Sequence, residues 1–257
     1  MTENRIILPL DVDTLDKALA LVGLLKDDVG AFKVGLELVN SAGFGVFDAI
    51  KEAGAKKIFY DCKFHDIPNT VAGASRAVAR MGIWLLNVHC SGGVAMMRAA
   101  KEAATEEAGK LNLQPPKVIG VTLLTSIDQR QLNEELGVPG SLVYQVVQMA
   151  GLAQEAGLDG VVASPREIEH IRAACGRDFL IVTPGVRPAG SAVGDQKRVM
   201  TPEEAIRHGA GYLVIGRPIT AAPDPRKAAR AIAGGIGNQL QALRRQRGPW
   251  CHRELEH

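Results

Sequence analysis

A chain of 257 residues, 46% of them hydrophobic, carries enough apolar side chain for one large core, which excludes extended disorder. A formal net charge of +2, with no basic cluster interleaved with aromatics, excludes a nucleic-acid surface. Residues 1–13 lack a signal-peptide pattern, no apolar run is long enough to span a membrane, and Cys62, Cys90, Cys175 and Cys251 lie far apart; these features predict reduced thiols in a cytoplasmic protein.

Residues 5–10 read as an apolar strand ending at Asp11 and Asp13. Residues 14–26 have helical spacing, with Leu15, Ala18, Leu19, Val22 and Leu25 on one face. Residues 31–34 form a short strand carrying Lys33, and a helix covers 46–53. A third strand begins at Ile58 and runs into Asp61, Lys63 and Asp66, after which Pro68 opens a helix over 68–81. Residues 83–89 are strand-like and lead into Ser91-Gly92-Gly93, and the Ala-rich segment 94–108 is helical. Residues 117–124 form a strand ending in Thr125 and Ser126, and 129–140 are polar and loop-like, with room for one short helix. A helix over 141–156, a strand over 160–163 and a helix after Pro165 follow. The seventh strand, 179–182, leads to Thr183-Pro184-Gly185; a short helix at 202–208, a last strand at 212–215 and a closing helix at 225–245 complete the order.

About eight strand–helix units with short connections predict a single (β/α)8 TIM barrel over residues 1–245. Residues 246–257 form a C-terminal extension whose end, Leu255-Glu256-His257, looks like the start of a vector tag. An open doubly wound sheet is the other arrangement of such units, but it usually shows a Gly-rich first turn. Neither GxGxxG nor GxxxxGK[ST] occurs, so dinucleotide and P-loop sites have no support.

The stretch 57–70 carries the densest chemistry. Strand residues alternate faces, so Asp61 and Lys63 point one way and Tyr60, Cys62 and Phe64 the other. Asp66 lies just past the strand, which sets Lys63 between two carboxylates at a C-terminal strand end, where barrel enzymes do their chemistry. Carboxylates favour the ammonium form of a lysine. Lys63 is then a poor Schiff-base nucleophile and a good proton donor. Asp61 would repel an anionic group held beside it, which suits loss of a carboxylate followed by protonation of the carbanion. A structural ion-pair network would have the same spacing.

Asp11, Lys33, Thr125, Ser126, Arg187 and Arg217 also fall at or beyond predicted strand ends, which converge on one mouth in a barrel. Taken singly, Asp11 reads as a helix cap, Lys33 as a surface charge, and Thr125 and Ser126 as turn formers. Gly216-Arg217, after the last strand, fits a phosphate site, since glycine lets a backbone N–H approach an anion and arginine adds a forked charge. The long loop 183–198 suits a lid, with Arg187 and Gln196 as contacts on closure. The histidines show no metal-ligand spacing, and no carboxylate cluster suggests a Mg²⁺ site.

The motifs LDVD, FKVG, DCKFHDIPNT, NVHCSGG, VTLLTS, VTPGVRP with the later GDQ, and VIGRPIT resemble the bacterial type of the orotidine 5′-phosphate decarboxylase family over nearly the whole chain. The resemblance implies conversion of orotidine 5′-monophosphate to uridine 5′-monophosphate and CO2, with no metal or organic cofactor. It implies that Lys63 protonates C6 of the pyrimidine, that Asp61 sits against the departing carboxylate, and that Lys33 and Asp66 complete a Lys–Asp–Lys–Asp array. It implies a ribose contact at Asp11, pyrimidine contacts at Thr125 and Ser126, and a phosphate set of Arg187, Gln196, Gly216 and Arg217, with Pro184 beside the ligand. Asp66, Ile67 and Thr70 would reach into the neighbouring subunit's site, which requires a homodimer. Cys62 stands where this family commonly carries leucine. A metal-dependent barrel enzyme acting on a phosphosugar or keto-acid phosphate would share DxKxxD and needs a glutamate such as Glu37.

Overall fold

The computed structural model describes residues 3–188 and 200–246. Eight parallel strands close on themselves in sequence order, and β1 pairs with β8. The strands are β1 (Ile6–Pro9), β2 (Ala31–Val34), β3 (Ile58–Phe64), β4 (Leu85–His89), β5 (Lys117–Val121), β6 (Gly160–Val162), β7 (Leu180–Pro184) and β8 (Tyr212–Val214). The helices are α1 (Leu15–Leu25), α2 (Leu36–Ala42), α3 (Val46–Glu52), α4 (Pro68–Arg80), α5 (Gly93–Lys110), α6 (Leu142–Glu155), α7 (Ile168–Cys175), α8 (Pro202–His208), α9 (Arg217–Thr220) and α10 (Pro225–Gln246).

Alternation along the strands divides the apolar residues between two cores. Ile7, Ala31, Phe59, Leu85, Ile119, Val182 and Tyr212 fill the barrel interior. Their neighbours, such as Ile6, Leu8, Phe32, Tyr60, Leu86, Val118, Ile181 and Leu213, face the helices in a larger cluster. Each fully buried Ile, Leu or Phe stabilises the fold by about 1.5–3 kcal/mol before entropy is counted. The helices start on sequence signals: Thr14 and Ser141 accept backbone N–H groups of Lys17 and Tyr144, and Thr201 and Glu204 cap each other's backbone reciprocally. At Gly160 an added Cβ would stand 2.0 Å from the Leu180 carbonyl oxygen, so the β6–β7 approach requires glycine.

The pole at the strand starts is tied by charge. Buried Asp28, after α1, accepts from Arg226 Nε at 2.9 Å and Arg230 Nε at 2.6 Å, both on α10. Burial pushes this carboxyl up, but the hydrogen bonds and charges of Arg230 and Arg226 outweigh it and hold it below the usual range.

Two local features differ from the sequence expectation. Residues 36–42 form helix α2, whose 7 residues bury Leu38 and Val39 between Gly35 and Gly43. Strand β5 stops at Val121, not at 124: Thr122 still places its N–H at 3.3 Å and its hydroxyl at 3.0 Å from the Val162 carbonyl, and the chain then leaves the sheet. The polar segment after it holds one short helix, as the sequence allowed, a π-helical stretch at Gln131–Glu135 that buries Leu132. Among the described residues no helix is long and apolar enough to cross a membrane.

Candidate active site

Strand β3 departs from a regular ladder where the charges sit. Tyr60 pairs with Leu86 and Phe64 with Val88, so four steps along β3 match two along β4. The two extra residues preserve the alternation: Tyr60 and Cys62 belong to the outer core, Phe64 packs against it, and Asp61 and Lys63 face the mouth. The excess length is taken up at Lys63, whose φ of +48° is left-handed, a region costly for a residue with a Cβ.

Four charged groups meet there. Lys63 Nζ donates to Asp61 Oδ1 at 2.6 Å, and Lys33 Nζ lies 3.3 Å from Asp61 Oδ2 and 3.1 Å from Asp11 Oδ1. The side chains of Lys33, Asp61 and Lys63 are 11%, 14% and 32% exposed. The array is therefore a sheltered carboxylate gripped by two ammonium groups, with the more accessible ammonium turned to solvent. Within the chain Asp61 is the group in the middle, between Lys33 and Lys63. Among the described residues Lys63 forms its ion pair with Asp61, while Asp66 is exposed and its carboxylate accepts the Ile67 N–H at 2.6 Å.

Burial is the largest influence on the Asp61 carboxyl and pushes it up. The charges of Lys33 and Lys63, with hydrogen bonds from Lys63 and Asn87, overcome it and hold the group below its ordinary value of 3.8. Asp61 is therefore a fixed negative charge at neutral pH. His89, at the end of β4, is held below the usual histidine value by burial first, then by His65 and Lys63. Its ring lies 5.5 Å from that of His65.

Asn87 was not among the candidates from sequence. It projects from β4 on the same face as Leu85, donates to Asp61 Oδ1 and accepts the Lys63 N–H, each at 2.7 Å. The available signal was strand alternation, which puts a polar residue at an inward position beside the charged strand. Cys62, on the opposite face of β3, gives its thiol to the Asn87 carbonyl at 3.1 Å, and burial raises that thiol to about 12. It faces the helix layer, as alternation requires.

The other candidates stand around the same rim. Ile67 and Thr70 are exposed at the start of α4, and Thr125 and Ser126 are exposed in the turn after β5. Pro184 ends β7, and Arg187 follows, half-buried, with its N–H on the Met200 carbonyl at 3.1 Å. Gly216 packs so closely on Pro9 that a Cβ would lie 2.9 Å from its ring, and exposed Arg217 opens α9. Gln196, most of the lid loop and residues 247–257 of the C-terminal extension lie outside the described residues. Glu37 is exposed in the first turn of α2. Among the described residues no group of three or more His, Cys, Asp or Glu side chains is arranged to hold a metal ion.

With this geometry in hand, comparison with known proteins is specific. Residues 4–232 match the model of the orotidine 5′-phosphate decarboxylase / HUMPS family. The orotidine 5′-phosphate decarboxylase of Moorella thermoacetica is 58% identical over 234 residues, covering 91% of this chain and 92% of that one. The enzyme of the same name from Heliobacterium modesticaldum is 51% identical, over 93% of this chain and 98% of its own. Among solved structures, orotidine 5′-phosphate decarboxylase from Lactobacillus acidophilus superposes with a TM-score of 0.81 at 36% identity, covering 91% of this chain and 99% of that one. A closed eight-stranded barrel, a Lys–Asp–Lys cluster at the ends of its second and third strands and these relatives agree: the chain belongs to the orotidine 5′-phosphate decarboxylase / HUMPS family.

Proposed function

We propose that this chain decarboxylates orotidine 5′-monophosphate to uridine 5′-monophosphate and CO2, the closing step of de novo pyrimidine nucleotide synthesis. The observation that carries this reading is the sheltered Asp61 carboxylate held ionised between Lys33 and Lys63. A fixed anion opposite a substrate carboxylate disfavours the bound ground state. An ammonium beside it favours charge building on the adjoining carbon, so the two together stabilise the transition state more than the substrate.

The C6–carboxylate bond breaks, its electron pair stays on C6, and CO2 leaves. The proton then passes from Lys63 Nζ to C6, leaving a neutral amine that solvent reprotonates. Lys33 and Asp11, joined at 3.1 Å, would hold the ribose hydroxyls. Thr125, Ser126 and Pro184 would bound the base. Arg187, Gly216 and Arg217, with Gln196, would hold the phosphate. Grips so far from the reacting carbon contribute by orientation and closure, and well-oriented reactants can gain about 7–11 kcal/mol of barrier lowering. No metal or organic cofactor enters this scheme. The test is an ultraviolet assay of orotidylate loss in EDTA: full turnover is expected, and abolition by EDTA would favour the metal-dependent phosphosugar reading, with Glu37 as a ligand.

The reading includes a homodimer. Leu36, Phe44 and Ile67 are large apolar side chains left exposed around the second and third strand ends, next to exposed Asp66 and Thr70. A two-fold contact there would bring Asp66, Ile67 and Thr70 of each copy to its neighbour's site. Co-expression of Lys63→Ala with Asp66→Ala chains tests it. Each variant alone should be inactive, and the mixture should recover about a quarter of wild-type activity, because half the dimers are mixed and one of their two sites is intact. A mixture as inactive as its components would place Asp66 within its own subunit's chemistry. The free, buried cysteines Cys62, Cys90 and Cys175 suit a cytoplasmic location.

A further inference from the structure

We infer that Asn87 is the positioning residue of this site, the group that holds both the Asp61 carboxylate and the left-handed backbone of Lys63 in working geometry. This rests on the decarboxylase reading of the same site and adds a residue to it.

Asn87 is 1% exposed, so both ends of its amide must find partners inside the protein. Each end meets a different member of the array. The Nδ2 amide donates to Asp61 Oδ1 at 2.7 Å, the same oxygen that receives Lys63 Nζ at 2.6 Å. The Oδ1 oxygen accepts the Lys63 backbone N–H at 2.7 Å. That N–H belongs to the residue at φ +48°, inside the interval where β3 and β4 fall out of register. Odd-numbered residues of β3 turn their backbone groups to β2, as Lys57 does in receiving the Phe32 N–H, and β2 ends at Val34 opposite Tyr60, short of Lys63. The amide side chain replaces the missing ladder bond and uses its other end to orient the carboxylate.

The Asn87 backbone is also pinned. It stands opposite Ile119 in the β4–β5 pairing, and its carbonyl, turned to β3, receives the Cys62 thiol. The link between the ladder and the reactive groups is therefore a rigid strand and one short side chain. Among the described residues no other uncharged side chain bonds both Asp61 and Lys63. An amide suits this place because it supplies a donor and an acceptor without adding charge to a balanced set.

The charged and titratable groups around it are Lys33 from β2, Asp61 and Lys63 from β3, and His89 two residues along β4, with His65 beyond His89 and Asp11 beyond Lys33. Cys62 lies on the far face of β3. This set makes the test selective. Asn87→Leu keeps the approximate size and removes both hydrogen bonds. Asn87→Asp keeps the shape and the acceptor for the Lys63 N–H, but places a second carboxylate against Asp61. When that pair takes up a proton, the new acid carries an O–H where the amide carried an N–H.

The experiment measures kcat, KM for orotidylate, uridine monophosphate affinity and melting temperature for wild type and both variants from about pH 5 to about pH 8, a window set by carboxylate pairs with raised values. For Asn87→Leu, kcat should fall about a hundredfold, the scale of a misplaced reacting group, while uridine monophosphate affinity changes by no more than about threefold. For Asn87→Asp, kcat relative to wild type should recover as pH falls, the opposite of what added acid does to a carboxylate-dependent site. Wild-type kcat in Asn87→Leu, or a loss of nucleotide affinity and melting temperature in step with kcat, would overturn the inference. If the leucine variant fails to fold, the aspartate variant decides alone: a ratio to wild type that stays flat with pH would overturn it. Failure of wild type to consume orotidylate would instead overturn the decarboxylase reading.

Discussion

Lys63→Ala is expected to lower kcat by about four orders of magnitude or more, because proton transfer and charge stabilisation are lost together. The barrel should survive the change. The Lys63 side chain is about a third exposed at the mouth, and it packs in neither core. Alanine carries the same Cβ at the same left-handed φ, so backbone strain is unchanged. Asp61 keeps Lys33 and Asn87 as partners, so melting temperature should stay within a few degrees, with turnover measured on protein from a host lacking its own enzyme. A sharper version uses Lys63→Gly. Glycine adopts positive φ freely, so this variant should melt above the alanine variant by the equivalent of about 1 kcal/mol while remaining inactive. Near-normal kcat in either variant would remove Lys63 from the chemistry.

Asp61→Asn should cost about three orders of magnitude in kcat and also lower stability, since breaking one member of a sheltered charge set typically costs about 3–5 kcal/mol. Lys63 would lose its ion-pair partner and Lys33 would retain Asp11 alone. The carboxyl's folded value lies below 3.8, so its contribution to stability is complete above that value and is lost as pH falls through the lower folded value. The melting-temperature gap between wild type and Asp61→Asn should thus be constant near neutrality and narrow in strong acid. A gap independent of pH down to acid unfolding would mean that the destabilisation is steric. A variant keeping kcat within tenfold of wild type would show that the fixed anion does not drive carboxylate loss.

The barrel was legible because its apolar strands end in charges and its helices begin at Thr14, Pro68, Ser141 and Thr201. Helix α2 was hidden by the glycines at both its ends, Gly35 and Gly43, and it forms because Leu38 and Val39 find the outer core. Strand β5 was overestimated because apolar Leu123 and Leu124 extend its pattern, although the last bond to β6 is made at Thr122. In the site, Asp61 and Lys63 followed from alternation, and Lys33 from its strand end. Two facts were beyond that reasoning. A register shift is a relation between two strands, so β3 alone does not reveal it. The bond that replaces a ladder hydrogen bond comes from Asn87, 24 residues away from Lys63, and local spacing carries no trace of it. Asp66 illustrates the converse: DxKxxD reads as one cluster along the chain, yet Asp66 is turned to solvent and bonds Ile67 instead.

The irregularity in β3 bears on any effort to transplant this chemistry. On a straight strand, alternate residues stand roughly 6.5 Å apart along one face, each with its own ladder partners. Copying the lysines and aspartates onto such a scaffold would reproduce the motif's letters without its handed kink or the neighbouring amide that sustains it. A designer would have to borrow a mismatched pair of strands as one unit, and the transferable object is a fault in the sheet.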